Sequence, residues 1–396
     1  MPEVGDKYVL KESALLKVMT IVGTRPEIIR LSRVMARLDQ HCDHRIVHTG
    51  QNYDYELNEV FFEDLGVRKP DYFLGTGGGT LGETLGKILI ESERMIDEER
   101  PDAVLILGDT NSSLSAIMAR RMKIPIYHME AGNRSFDRNV PEETNRKLVD
   151  HIADFNLVYT EHARRHLLSE GIAHRRIYLT GSPMREVLEY YSDRIAASDV
   201  LERLGLKSRG YFIVSLHREE NVDSTDRLSA LVETLGALAA RYDMPVIVST
   251  HPRTRKRLEA LGGSPLDTRV QFLKPFGFND YNRLQTRAFC AVSDSGTIAE
   301  EASILGFPAI TPRDAIERPE GLDAGSIIMT GLDREAILTG VDAATRLFAA
   351  REAARRAHPV PDDYCISNTS ERVVSLILGT AKLSNAWDGI RVNDLH

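Results

Sequence analysis

Short apolar runs of four to six residues alternate with longer amphipathic stretches, and the alternation occurs twice. The first series is "KVMTIV" (17–22), "RIVH" (45–48), "AVLIL" (103–107), "IPIYHM" (124–129), "FNLVYT" (155–160) and "RIYLT" (176–180). A charged, irregular stretch follows at about 188–208. The second series is "YFIVSL" (211–216), "PVIVST" (245–250), "RVQFL" (269–273), "FCAVSD" (289–294), "PAIT" (308–311) and "SIIMT" (326–330). Apolar runs without polar alternation suit strands buried on both faces, as in parallel sheets. Between them lie helical patterns such as "PEIIRLSRVMARLDQ", so the unit is βαβ. The reading is α/β: two doubly wound domains facing a cleft, at 17–187 and 188–370. The first 16 residues read as an extension, and the C-terminal run at about 371–396 as a helix able to pack back on the first domain. A length of 396 residues accommodates two such domains.

Doubly wound sheets bind ligands beyond the carboxyl ends of their strands. There the sequence places Gly23-Thr24-Arg25, Gly108-Asp109, Glu130-Ala131-Gly132, His217-Arg218, His251-Pro252-Arg253 and Ser295-Gly296-Thr297. An aspartate after a strand is often only a helix cap. Polar groups at six strand ends on one edge read as a site. Ser295-Gly296-Thr297 before a helix offers free N–H groups and the positive end of a dipole, which suits a phosphate. Glu300 and Glu301 follow at once. Glu301, six residues past Ser295, lies too deep to serve the cap and is placed to accept two ribose hydroxyls. Arg318 is placed to hold a further phosphate oxygen. A nucleoside diphosphate satisfies both signs of charge.

Two motifs mislead. Gly77-Gly78-Gly79-Thr80-Leu81-Gly82 matches GxGxxG but follows no convincing buried strand. "HCDHRIVH" crowds His41, Cys42, His44 and His48, but across a helix-to-strand turn where the side chains diverge. The expectation is no metal and no cofactor. The net charge of −8 argues against nucleic acid. No apolar run is long enough for a membrane span. The N-terminus lacks a signal peptide's apolar core, and Cys42, Cys290 and Cys365 lie far apart. These features point to the cytoplasm.

In order and spacing, "GTRPEIIRLSRV", "HTGQ", "LGDTNS", "HMEAGNRS", "VPEETNRKLVDHIAD", "LTGSP", "HREEN", "SDSGTIAEEASILGFPAI" and "ERPEG" resemble the non-hydrolysing UDP-N-acetylglucosamine 2-epimerases. The resemblance implies a GT-B fold of two Rossmann-like domains, a UDP-sugar in the cleft, a homodimer, and a role in surface polysaccharide synthesis. It implies that Ser295, Gly296, Thr297, Glu301 and Arg318 bind UDP and that His217 lies near the diphosphate. It assigns proton transfer to Asp109, Glu130 and Glu142, and basic roles in the cleft to Arg25 and Arg146. Arg30 stands where the family usually has lysine. Asn52-Tyr53 replaces the family's His-Arg, which helps hold an activating UDP-sugar in regulated members. "HTGQNYDYELNEVFFEDLG" and "GSPMREV" are similar to a capsule branch that inverts carbon 2 of a 6-deoxy sugar on the way to UDP-N-acetyl-L-fucosamine.

Carbon 2 of such a sugar is not next to a carbonyl, so direct deprotonation is prohibitive. Expelling UDP first creates an oxocarbenium-like centre that acidifies the neighbouring C–H. A carboxylate then takes the proton, giving a 2-acetamidoglycal, and protonation on the other face with return of UDP completes inversion. A GT-B glycosyltransferase would share the nucleotide site without needing acids on both faces. An inert UDP-sugar sensor would not need the acids at all.

Overall fold

The computed structural model describes residues 15–50, 65–137, 139–216, 225–250, 257 and 267–390. These form two parallel sheets. The first has the order β3-β2-β1-β4-β5-β6-β7 and the second β10-β9-β8-β11-β12-β13. Its strands are β1 (Lys17–Val22), β2 (Asp43–His48), β3 (Tyr72–Phe73), β4 (Ala103–Leu107), β5 (Ile126–Met129), β6 (Phe155–Val158) and β7 (Ile177–Leu179). The second contains β8 (Phe212–Ser215), β9 (Val246–Ser249), β10 (Val270–Leu273), β11 (Cys290–Ser293), β12 (Ala309–Thr311) and β13 (Ile328–Met329). All twelve expected strands are present, in two Rossmann-like domains with the GT-B arrangement.

The differences are local. β3 was not expected; it is a two-residue edge strand in "KPDYFLG", without the apolar run that marks the equally short β13 in "SIIMT". β5 starts at Ile126 because Pro125 has no N–H to give the ladder. β6 stops at Val158: Tyr159 leaves the ladder, and Thr160 caps the helix Glu161–Ser169, accepting from Ala163 N at 3.4 Å. The glycine-rich segment before Leu81 leads into a capping box, in which Thr80 and Glu83 serve each other's backbone N–H at the head of the helix Leu81–Glu99. His44 bonds Asp39 and Thr20, whereas His48 stacks on Phe73.

Sheet order decides which strand ends matter. In the first sheet the chain winds outward from β1 to β3, then restarts at β4 on the other side of β1. In the second it winds from β8 to β10, then restarts at β11 beside β8. Adjacent connections diverge at β1/β4 and at β8/β11, leaving a crevice at each. Two of the polar strand ends, Gly108-Asp109 and Ser295–Thr297, follow β4 and β11 directly. At the β1/β4 point only glycine fits position 23, since a Cβ would lie 1.8 Å from Ser112 Oγ.

The helix Thr369–Trp387 returns to the first domain. Val373, Val374 and Ile377 share a core with Val18, Leu31, Val34 and Leu105, and Tyr127 Oη lies 2.6 Å from Thr380 Oγ1. Each buried aliphatic side chain contributes roughly 1.5–3 kcal/mol. The two crossings between domains lie side by side, Thr369 Oγ1 donating to Thr180 O and Ser182 O at 3.1 Å each.

Glu130 follows β5 with φ +65°, a left-handed conformation unusual for glutamate. The turn behind it is clamped. Gly132 N donates to Asp150, and the buried Arg134 bonds Asp150 Oδ2 at 2.7 Å and both Glu170 oxygens at 2.7 Å. Replacing Arg134 with methionine strands Asp150 without its cation and is expected to cost on the order of 3–5 kcal/mol. Urea unfolding measures this; a loss below about 1 kcal/mol, the scale of a surface pair, would show that the clamp does not hold the turn.

Candidate functional site

A cavity of about 370 Å³ lies between the sheets, within the range of small-ligand sites. Arg25, Arg30, Asp109, Glu130, Arg146, Ser295, Gly296, Thr297, Glu301 and Arg318 all line it. Residues that are up to about 290 positions apart in sequence are thus brought to one space, because both switch points open toward it.

Two other expected residues stand differently. His217 lies outside the described residues. Glu142 is exposed on the first turn of the helix Pro141–Ile152 and is not part of the cavity wall. Its neighbour Glu143 is buried, accepting from Ser135 N and Oγ at 3.1 Å and from Arg146 Nη1 at 2.8 Å.

The charges interlock. Arg146 donates to Asp109 through Nη2 and to Glu143 through Nη1, so one guanidinium orients the aspartate that follows β4. Glu130, at the end of the neighbouring strand, accepts from Arg30 and, at 2.8 Å, from Arg318 of the other domain. Arg318 also donates to Gly296 O within the Ser-Gly-Thr turn. Burial acts to raise the Glu130 carboxyl, but Arg30, Arg318 and Arg146 outweigh it and hold the group below the usual carboxylate range.

The turn itself is braced. Ser295 Oγ lies 3.0 Å from Thr297 Oγ1, and Thr297 opens the helix Ile298–Leu305. Glu301 does reach this turn, contrary to expectation: Thr297 Oγ1 donates to it at 2.8 Å and Gln285 Nε2 at 2.7 Å. One helical turn brings the side chain back over its own N-terminus. Burial raises the Glu301 carboxyl, with these two bonds opposing.

Glu27 lies in the quoted "GTRPE" but was not picked out as a site residue. It accepts from Gly23 N (2.8 Å), Thr24 N (2.6 Å), Thr24 Oγ1 (2.9 Å) and Thr110 Oγ1 (2.9 Å), tying the β1 loop to the β4 loop. Burial pushes its carboxyl up to about 7 against those bonds. Phe276 and Tyr281 also line the cavity. They follow β10, Tyr281 on the helix Phe278–Arg287, where charged groups at strand ends give no sign of them. The aromatic-rich "KPFGFNDY" was the available signal.

Two carboxylates at the ends of neighbouring strands, beside four arginines, can move a proton and neutralise a departing anion in one cavity. A model of the family described as UDP-N-acetylglucosamine 2-epimerase matches residues 36–378. A Pseudomonas aeruginosa UDP-2,3-diacetamido-2,3-dideoxy-D-glucuronate 2-epimerase is 37% identical over 329 residues, covering 82% of this chain and 90% of that one. The solved UDP-N-acetylglucosamine 2-epimerase of Rickettsia bellii is 47% identical with TM-score 0.89, covering 95% of this chain and all of the other. The Methanocaldococcus jannaschii UDP-GlcNAc 2-epimerase, solved in complex with UDP-GlcNAc and UDP, is 35% identical with TM-score 0.84, covering 92% and 100%. The match runs from the first helix to the last and spans both walls of the cavity, so the chain belongs to the UDP-N-acetylglucosamine 2-epimerase family, a family of isomerases.

Proposed function

We propose that this chain interconverts UDP-GlcNAc and UDP-ManNAc by eliminating UDP to a 2-acetamidoglycal and adding it back. The observation that carries this reading is the placement of Asp109 and Glu130 just beyond the ends of the adjacent strands β4 and β5, in the same cavity as the Ser295–Thr297 turn and Arg318. In the forward step the anomeric C–O bond breaks with its electron pair leaving on UDP. Arg318, Arg25 and the N-terminal turn of the helix Ile298–Leu305 neutralise the diphosphate. One carboxylate takes the proton from carbon 2; the other protonates the opposite face as UDP returns. Glu142 and His217 belong to this proposal as a further acid and a further diphosphate contact. The reading carries with it a homodimer in the cytoplasm serving surface polysaccharide synthesis. Support for the compartment comes from three cysteines that form no disulfide.

The test is turnover in D₂O. Deuterium is expected at carbon 2 of recovered UDP-GlcNAc, and its absence with every UDP-2-acetamidosugar sinks the reading. Asp109→Asn and Glu130→Gln should each slow exchange by about a hundredfold or more while UDP still binds; near-normal exchange removes that residue from the chemistry.

A second substrate has one observation in its favour. Met184 of "GSPMREV", the segment similar to the 6-deoxy-sugar branch, lines the cavity and gives it an apolar wall. The same inversion on a 6-deoxy UDP-2-acetamidosugar would suit that wall, and the exchange assay run with both sugars separates them.

Glu301 is proposed to hold the ribose diol. Calorimetry should show Glu301→Ala weakening UDP well beyond its effect on pyrophosphate; an equal loss for both would mean that the residue only braces Thr297.

We further infer that the domains, bounded near 187/188 and near 370, close on UDP by rotation about the crossings at 182–208 and 365–372. The cross-cleft pair of Arg318 and Glu130 supports this, since neither domain alone holds both anchor and acid. Scattering should show a wider free form; identical profiles with and without UDP would exclude closure.

A further inference from the structure

Glu300 and Glu301 are adjacent, but only Glu301 has a use in the reaction above. Glu300 has no exposed surface. Its Oε1 accepts from Ser182 Oγ, and its Oε2 lies 3.2 Å from Arg318 Nε. Ser182 Oγ itself accepts from Met184 N at 3.1 Å, which leaves its one hydroxyl hydrogen for Glu300. Ser182 sits at the first crossing between domains, and its carbonyl accepts from Thr369 at the return crossing. The other nitrogens of Arg318 reach Gly296 O in the diphosphate turn and Glu130 Oε1. Contacts thus run without a break from both crossings, through Glu300 and Arg318, to the acid at the end of β5.

Resting on the elimination mechanism, we propose that Glu300 is a positioning residue: it ties Arg318 to the interdomain crossing, so that the guanidinium stands between Glu130 and the diphosphate turn when the domains meet. Arg318 is then shared between two carboxylates and is not captured by Glu130. With the Glu300 charge removed, Arg318 would pair more closely with Glu130, while its bond to Gly296 O keeps it beside the diphosphate turn. Glu130 faces Arg30, Arg146 and Arg318, with Tyr159 close by. Glu300 faces Arg318, Arg30, Tyr159, Glu301, Glu320 and Tyr364. Loss of one negative neighbour and a closer Arg318 both favour ionised Glu130, so its titration would move to lower pH.

Glu300→Gln keeps an acceptor for Ser182 but cannot share Arg318 as a charge. Carbon-2 exchange should fall by about ten- to a hundredfold, as for a misplaced group at a reacting centre. The acid limb of its pH profile should move to lower pH, while UDP affinity by calorimetry stays within about threefold. Ser182→Ala spares the Glu300–Arg318 pair and should slow exchange without moving the limb. Exchange within about threefold of the original chain, or a parallel loss of UDP affinity and turnover with the limb unmoved, overturns the assignment. Should Glu300→Gln not fold, Ser182→Ala decides: slowed exchange with UDP affinity retained supports the assignment, and unchanged exchange overturns it. No exchange by the original chain would sink the epimerase reading and this inference with it; exchange there with an unaltered Glu300→Gln sinks only the inference.

Discussion

Arg318 and Glu130 meet across the cleft at 2.8 Å with almost no solvent contact. Taking two such charges out of water costs several kcal/mol each, and their attraction repays this only with close geometry and further hydrogen bonds. Both conditions are met, since Arg30 also bonds Glu130 and Gly296 O accepts from Arg318. The pair depends on how near the two domains stand. It therefore links a property of the whole chain, the angle between its domains, to the ionisation of one acid. Separating the domains would leave each charge to find water or another partner. An incoming diphosphate, with more negative charge than a carboxylate, would compete with Glu130 for Arg318.

The local structure around that pair is held stiffly. Glu130 keeps a left-handed backbone because the turn behind it is fixed by Arg134, Asp150 and Glu170. Glu27 gathers four donors from two loops and so fixes the spacing between the β1 and β4 strand ends. Strained or buried polar groups persist only where their surroundings over-determine them. Here those surroundings are the same turns that aim Asp109 and Glu130 into the cavity. Three of the buried acids differ in environment: Glu130 is held ionised by arginines, whereas Glu27 and Glu301 are pushed toward the neutral form by burial. Such divergence lets neighbouring carboxylates take different roles.

The fold class and twelve of the thirteen described strands were legible in the sequence because buried parallel strands leave short unbroken apolar runs and amphipathic helices a period of about 3.6 residues, both local properties of the chain. The turn chemistry of Ser295-Gly296-Thr297 was legible for a related reason: an α/β site is built at strand ends, and strand ends can be marked along a sequence, whereas Arg146, on a helix, was named only by the family resemblance. Sequence order does not state which strand ends adjoin. Only the order of strands in each sheet set β1 beside β4 and β8 beside β11, and only the packing of one domain on the other set Arg318 on Glu130. Tertiary structure likewise decided that Glu301 braces its own turn, that Glu143 and not Glu142 is the buried partner of Arg146, and that Glu300 turns toward the crossing. Adjacent carboxylates on a helix point about 100° apart. Their local sequences are nearly the same, yet Glu300 meets Ser182, 118 positions away, whereas Glu301 meets Thr297 and Gln285, 4 and 16 positions away.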